Sequence, residues 1–233
     1  MVRHEAAEAL GAIATPTCLA TLELFERDEA CREVAETCQL ATGRIRYWQQ
    51  RRAAAVAGSA QLSRKEAFSA AAAEDTCGSA FHSVDPVPAA DDGTPLEALR
   101  TTLLDEGAPM FERYRALFAL RNRGGDAAAP LLAAVLSRSG SALLKHEVCY
   151  VLGQLQAPVT VAALTATLRD ATQHAMVRHE AAEALGSIAA PACVALLQEH
   201  LSDPDPIVAE GCLVALDILA YEASGAFEYC ATE

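Results

Sequence analysis

Histidine is followed directly by glutamate three times in this chain, at His4-Glu5, His146-Glu147 and His179-Glu180. Imidazole nitrogen with carboxylate oxygen is a borderline-to-hard donor set suited to Fe(II), Mn or Zn. Two histidines and one carboxylate hold a metal while leaving coordination positions open. In helix bundles, paired sets of this kind build two-metal centres. Such chemistry requires that the pairs meet in space, and their register says how. Each histidine lies six residues before a leucine, at Leu10, Leu152 and Leu185. The same leucine recurs at Leu40, Leu120 and Leu216, but there the His-Glu positions read Val34-Ala35, Tyr114-Arg115 and Glu210-Gly211. The pairs are thus confined to particular copies of one recurring unit.

That unit is visible without any alignment. Residues 1–14 read MVRHEAAEALGAIA and residues 176–189 read MVRHEAAEALGSIA, differing only at Ala12 and Ser187. Related segments return at a spacing of roughly 30 residues, the period of helix–turn–helix solenoids. Gly153, Pro158, Gly186 and Pro191 are read as marking the joints. One helix pair alone leaves an apolar face open, so neighbours stack, and equivalent positions project onto one surface about a repeat apart. His146-Glu147 and His179-Glu180 are therefore expected to be neighbours, on the second helix of each pair. The expected fold is all-α, a helix-pair solenoid.

Between about 50 and 95 the pattern breaks. RRAAAVAGSA, SAAAAEDTCGSA and PVPAADDGTP read as an Ala-rich flexible connector punctuated by Pro and Gly. The expected organisation is an N-terminal piece over 1–50, a connector over 51–95, and a C-terminal set of four repeats over 96–233. His82, His174 and His200 fall outside the register and are read as surface residues.

Composition agrees and narrows the partners. Apolar residues make up 52% and aromatics 5% of the 233 residues, and the bias to Ala and Leu favours helix. A formal charge of −13 argues against nucleic acid and anionic membrane, which it would repel, and suits a basic protein or polycationic ligand. Eight cysteines without a CxxC pair, and no apolar secretory segment behind Met1, point to free thiols in a reducing, cytoplasmic setting.

VRHEAAEALG itself resembles a common HEAT-type repeat consensus, in which a charged pair merely starts the inner helix. A bilin-lyase-like HEAT protein would share it. The rest of the chain is more specific. ETCQLATGRIRYWQQ at 36–50, SVDPVP at 83–88, FERYRALFALRNRGG at 111–125, KHEVCYVLGQL at 145–155 and VAEGCLVALD at 208–217 together resemble the deoxyhypusine hydroxylase family, across nearly the whole chain except the stretch near 51–80.

The resemblance implies two facing HEAT halves around a di-iron centre, with two His-Glu pairs per half. It also implies O2-dependent hydroxylation of the deoxyhypusine side chain of the eukaryotic initiation factor 5A precursor. Carried over, His4, His146 and His179 would bind Fe(2+), with Glu5 and Glu180 as ligand carboxylates. Glu147 would be a ligand, or a catalytic group that orients substrate. The family has four pairs and this chain has three. The missing one is expected about 33 residues before His4, by the spacing from His146 to His179. Met1 aligns with Met176, so the expectation is a reading frame that starts at an internal methionine, or else a genuine short form. The competing reading is a catalytically impaired HEAT-repeat binding protein.

Overall fold

The structure, a computed structural model, describes residues 1–58, 81 and 83–224. Among them there are eleven α-helices and no strand: α1 (Val2–Ile13), α2 (Pro16–Asp28), α3 (Arg32–Gly58), α4 (Leu96–Leu104), α5 (Met110–Arg123), α6 (Gly125–Arg138), α7 (Ala142–Leu155), α8 (Val161–Arg169), α9 (Ala175–Ile188), α10 (Cys193–Glu199) and α11 (Pro206–Ser224). Packing divides the chain into two compact units, Met1–Asn122 and Arg123–Glu233.

In the second unit α9 is the centre. It packs between α7 and α11, with α8 beside it. The register leucines Leu152 and Leu185 are fully buried, whereas Leu216, in the last repeat, is half-buried. Gly153 and Gly186 do not lie at joints as expected; both are inside helices, α7 and α9. Their role is close approach. A Cβ at Gly153 would sit 3.1 Å from Ala184 Cα, and one at Gly186 would sit 2.5 Å from the Ala215 carbonyl oxygen. The turns are made instead by Gln156 and Ala189, left-handed at φ 46 and 54, which end α7 and α9. Pro158, in a short 3-10 turn, and Pro191 do fall between helices.

Arginine preceding the site positions is structural. Arg178 donates from Nε to Leu168 O (2.9 Å) and grips Asp203 with both terminal nitrogens (3.1 and 2.5 Å). Arg113 of the first unit repeats the device, donating to Leu103 O (3.0 Å) and Glu106 (2.6 Å). Each guanidinium satisfies a terminal carbonyl of the preceding helix, which would otherwise lack a partner.

In the first unit α1 and α2 pack on α3, and Gly11 brings α1 against Ala41. The segment around SVDP lies on α5. Arg121, wholly buried, forms a fork-to-fork pair with Asp85 (2.7 and 2.5 Å) and stacks between the rings of Phe81 and Phe118 (4.7 and 4.8 Å). Phe111 of α5 rests on Gly43, and Tyr47 lies beside it. These contacts place α5 with the N-terminal helices, so packing divides at Asn122, while the repeat pattern of the sequence is read as dividing near 95. The stretch expected as connector is helical to Gly58 and has defined contacts again from Ser83. The remainder of it, 59–80 and 82, lies outside the described residues, as does His82.

Candidate metal centre

α9 presents His179, Glu180 and Glu183 from neighbouring turns. One donor atom from each lies within 4.8 Å of the other two, and His179 Nε2 is 3.3 Å from Glu183 Oε1. α7 adds His146, whose Nε2 faces Glu180 Oε2 at 3.2 Å. The stacking of α7 on α9 therefore joins the two histidines through one carboxylate, as their shared register predicts. His146 and Glu180 are buried, and His179 is half-buried.

The His179 ring is oriented from behind. Its Nδ1 is 3.2 Å from the carbonyl oxygen of Ile207 on α11. A carbonyl only accepts, so Nδ1 carries a hydrogen and Nε2 is the ring nitrogen turned to the carboxylates. A hydrogen-bonded far nitrogen is the usual support of a metal-binding histidine. Gly211 makes room for it, since a Cβ there would fall 2.5 Å from His179 Nδ1. Gly211 occupies the glutamate position of its own repeat, and the space it leaves holds its neighbour's imidazole.

The first unit repeats the arrangement on α1. His4 is buried, and its Nε2 lies 3.7 Å from both Glu5 Oε1 and Glu8 Oε1. Its Nδ1 meets Thr37 Oγ1 at 2.8 Å, and Thr37 gives its own hydrogen to Glu33 O at 2.7 Å. The threonine oxygen therefore accepts from Nδ1–H, leaving Nε2 for the carboxylates. A carbonyl on α11 and a hydroxyl on α3 do the same work by different means.

Glu147 is buried on α7 next to His146, outside the tight three-residue set of α9. His174 is exposed and caps α9, its Nδ1 accepting from Met176 N (3.2 Å); His200 is half-buried and bonds to Leu196 O. Neither joins the donor set. Glu183 and Glu8 are additions that the His-Glu pairs did not reveal. The signal was present as His-Glu-x-x-Glu, because residues four apart share a helix face. Of the six register repeats only those of His4 and His179 carry an acid there; the others have Cys38, Phe118, Tyr150 and Val214. Burial, with the Glu180 carboxylate adding to it, pushes the Cys149 thiol well above its usual range, so it stays protonated beside the donors. The donor chemistry fits a metal: imidazole nitrogens, that of His179 held from behind, converge with carboxylate oxygens, and open space adjoins Glu180 and Glu183.

Fold and site together define a helical-repeat protein with a cluster of histidine and carboxylate donors. A profile described as PBS lyase HEAT-like repeat matches residues 2–25, 112–138 and 177–203. Deoxyhypusine hydroxylase of Mus musculus is 51% identical over 229 residues, covering 98% of this chain and 68% of the relative. The Homo sapiens protein of the same name is 49% identical with the same coverage. The solved structure of human deoxyhypusine hydroxylase in complex with glycerol matches with a TM-score of 0.79 at 48% identity, over 95% of this chain and 68% of that one. The chain belongs to the deoxyhypusine hydroxylase family. The bilin-lyase-like alternative falls away, since its resemblance is confined to the repeat segments.

Proposed function

We infer that this chain is an enzyme that hydroxylates deoxyhypusine, the activity its relatives are named for, at a centre built from His146, His179 and Glu180. The observation that carries this reading is the approach of His146 on α7 to Glu180 on α9, beside a His179 whose Nε2 is already oriented. Fe(2+) is the metal this donor set suits, and its contribution when bound is the activation of molecular oxygen, the co-substrate. The protein's own part is to fix His179 through Ile207 O, as Thr37 fixes His4 in the first unit, and to keep Glu180 buried. Glu147, buried at the site's edge, is assigned to orienting the substrate; His4 and Glu5 supply the equivalent donors of the first unit.

The substrate is the deoxyhypusine form of the initiation factor 5A precursor. Its cationic side chain matches a chain of net charge −13, which also disfavours nucleic acid. Among the described residues no helix is long and apolar enough to cross a membrane. The six described cysteines are free, in keeping with a cytoplasmic setting. By repeat content the chain divides into 1–50, 51–95 and 96–233.

The test is direct. Protein loaded anaerobically with ferrous iron is given the deoxyhypusine-bearing factor, air and a two-electron reductant, which carries the second oxygen atom to water, and the factor's mass is measured. A gain of one oxygen on the modified lysine is expected. Binding of the factor without any gain, at any iron level, would favour the impaired binding protein instead.

A further inference from the structure

A basic residue precedes the histidine of every His-Glu pair: Arg3, Lys145 and Arg178. Each reaches forward to the loop ahead of the next second helix. Arg178 grips Asp203 with both terminal nitrogens (3.1 and 2.5 Å), and Asp203 Oδ1 accepts from the backbone amide of Asp205 (3.0 Å). Asp205 Oδ1 in turn accepts from the amide of Ile207 (3.1 Å). With Pro206 as the first helical residue, Asp205 caps α11 and supplies an acceptor to its first turn. Ile207 O is the atom that meets His179 Nδ1 (3.2 Å). A chain of polar contacts thus leaves α9 at Arg178, runs through two carboxylates, and returns to α9 at the very next residue.

The first unit builds the same link from other residues. Arg3 pairs with Glu29 (2.5 Å), and Glu29 Oε1 accepts from the amide of Cys31 (2.8 Å), the residue just before α3. α3 carries Thr37, which meets His4 Nδ1 at 2.8 Å. Glu29 and Asp203 are both nearly inaccessible, 8% and 6% exposed. Lys145 donates to Gln173 Oε1 (2.8 Å), just ahead of α9. In the repeat at Tyr114, which has no histidine, Arg113 pairs with Glu106, before its own helix. The forward link therefore accompanies the histidines. We propose that Asp203 and Asp205 are positioning residues of the candidate metal centre, fixing the first turn of α11 so that Ile207 O holds His179 toward the carboxylates. The proposal rests on the metal-centre reading for its purpose and on the contacts alone for its geometry. Without the cap, the first turn of α11 frays and its carbonyls lose their fixed place.

Asp205→Ala removes the cap, whereas Asp205→Asn keeps an oxygen that caps equally well. In the metal-free chain, at a pH where imidazole is neutral, nitrogen-15 NMR reads which nitrogen of His179 carries the hydrogen. The wild-type ring should be held in the Nδ1–H form. In D205A it should relax to the mixture of forms of a free imidazole, and D205N should retain the wild-type signals. The ferrous dissociation constant, measured anaerobically by calorimetry, should rise about tenfold in D205A, the lower end of what losing a ligand's outer support costs. It should stay near the wild-type value in D205N. Thr15→Ala, which removes a cap from α2, should lower Tm without moving the His179 signals or the affinity. Unchanged His179 signals in D205A overturn the proposal, as does a D205N chain that behaves like D205A. A ring that shifts equally in T15A overturns it too, because its place would then follow general stability. So does a shifted ring with unchanged metal affinity. A wild-type chain that binds no ferrous ion, yet whose ring is released in D205A, defeats the metal-centre reading and leaves the positioning of His179 standing.

Discussion

His179 shows how much of a candidate metal ligand is made by residues outside the donor set. Its imidazole is held from behind by Ile207 O, in space that exists because position 211 is glycine. Gly211→Ala should therefore force the ring or α11 to shift, weakening metal binding by about 10- to 100-fold, as loss of a ligand's outer support commonly does. Calorimetric titration with ferrous ion is the check, and an unchanged dissociation constant would mean the ring does not depend on that space. His179→Ala should abolish metal binding at this set. His174→Ala, which removes only a helix cap, should leave metal binding unchanged and cost about 1 kcal/mol or less in stability. The His-Glu pairs were legible from type and spacing alone. Glu183 was legible in principle, four residues on, but lay hidden inside a repeat consensus where its alanine and leucine neighbours are core. Gly211 could not be read forward, because its meaning lies in the ring of the adjacent repeat. Sequence suggests glycine as a joint, and Gly153 and Gly186 were so read; in the structure all three are places where a side chain is excluded.

The helices were legible because period, composition and duplication agreed, and the candidate donors His146, His179 and Glu180 do lie on the second helix of their pairs, α7 and α9. What sequence left out was the means of fixing each helix in place. Arg178 and Asp203 are both nearly inaccessible, 8% and 6% exposed. The guanidinium fork holds the Asp203 carboxyl below the usual carboxylate range, with burial opposing and the amide of Asp205 assisting. The folded-state value is depressed, so the stabilisation is complete above the ordinary carboxylate value and is lost as pH falls through the lower one. Asp203→Ala should cost about 3 kcal/mol or more at neutral pH, because it strands a buried guanidinium. It should also flatten the decline in stability below about pH 4. Urea titrations of both proteins across that range would show the two curves converging; parallel curves would remove Asp203 from the account. The helix ends offer the opposite case. Ala189 closes α9 at φ 54, a conformation that strains any residue with a Cβ and is relaxed for glycine. Ala189→Gly should raise stability by about 0.5–1 kcal/mol, seen as a higher Tm, with metal binding unaltered.

The two compact units do not offer equal donor sets, and this decides how many metal ions the chain is expected to hold. The second unit contributes two imidazoles from two stacked helices, His146 and His179, with Glu180 buried between His146 and the rest of the set. The first unit contributes one imidazole, His4, and two acids of the same helix, of which Glu5 is 59% exposed. Imidazole is the stronger donor for Fe(II) or Zn in such mixed sets, and donors already fixed by packing lose less freedom when they bind. One tight metal per chain is therefore expected, in the second unit, with any further binding much weaker. Anaerobic titration should show a single tight step that disappears in His179→Ala and survives in His4→Ala. The same step should appear as thermal protection, because a ligand bound only by the folded state stabilises by about 2.7 kcal/mol at one hundred times its dissociation constant. Two tight steps of equal affinity, or a tight step lost with His4 rather than His179, would show that the single-helix set on α1 binds as well as the two-helix set. The second imidazole would then not be what decides where the metal sits.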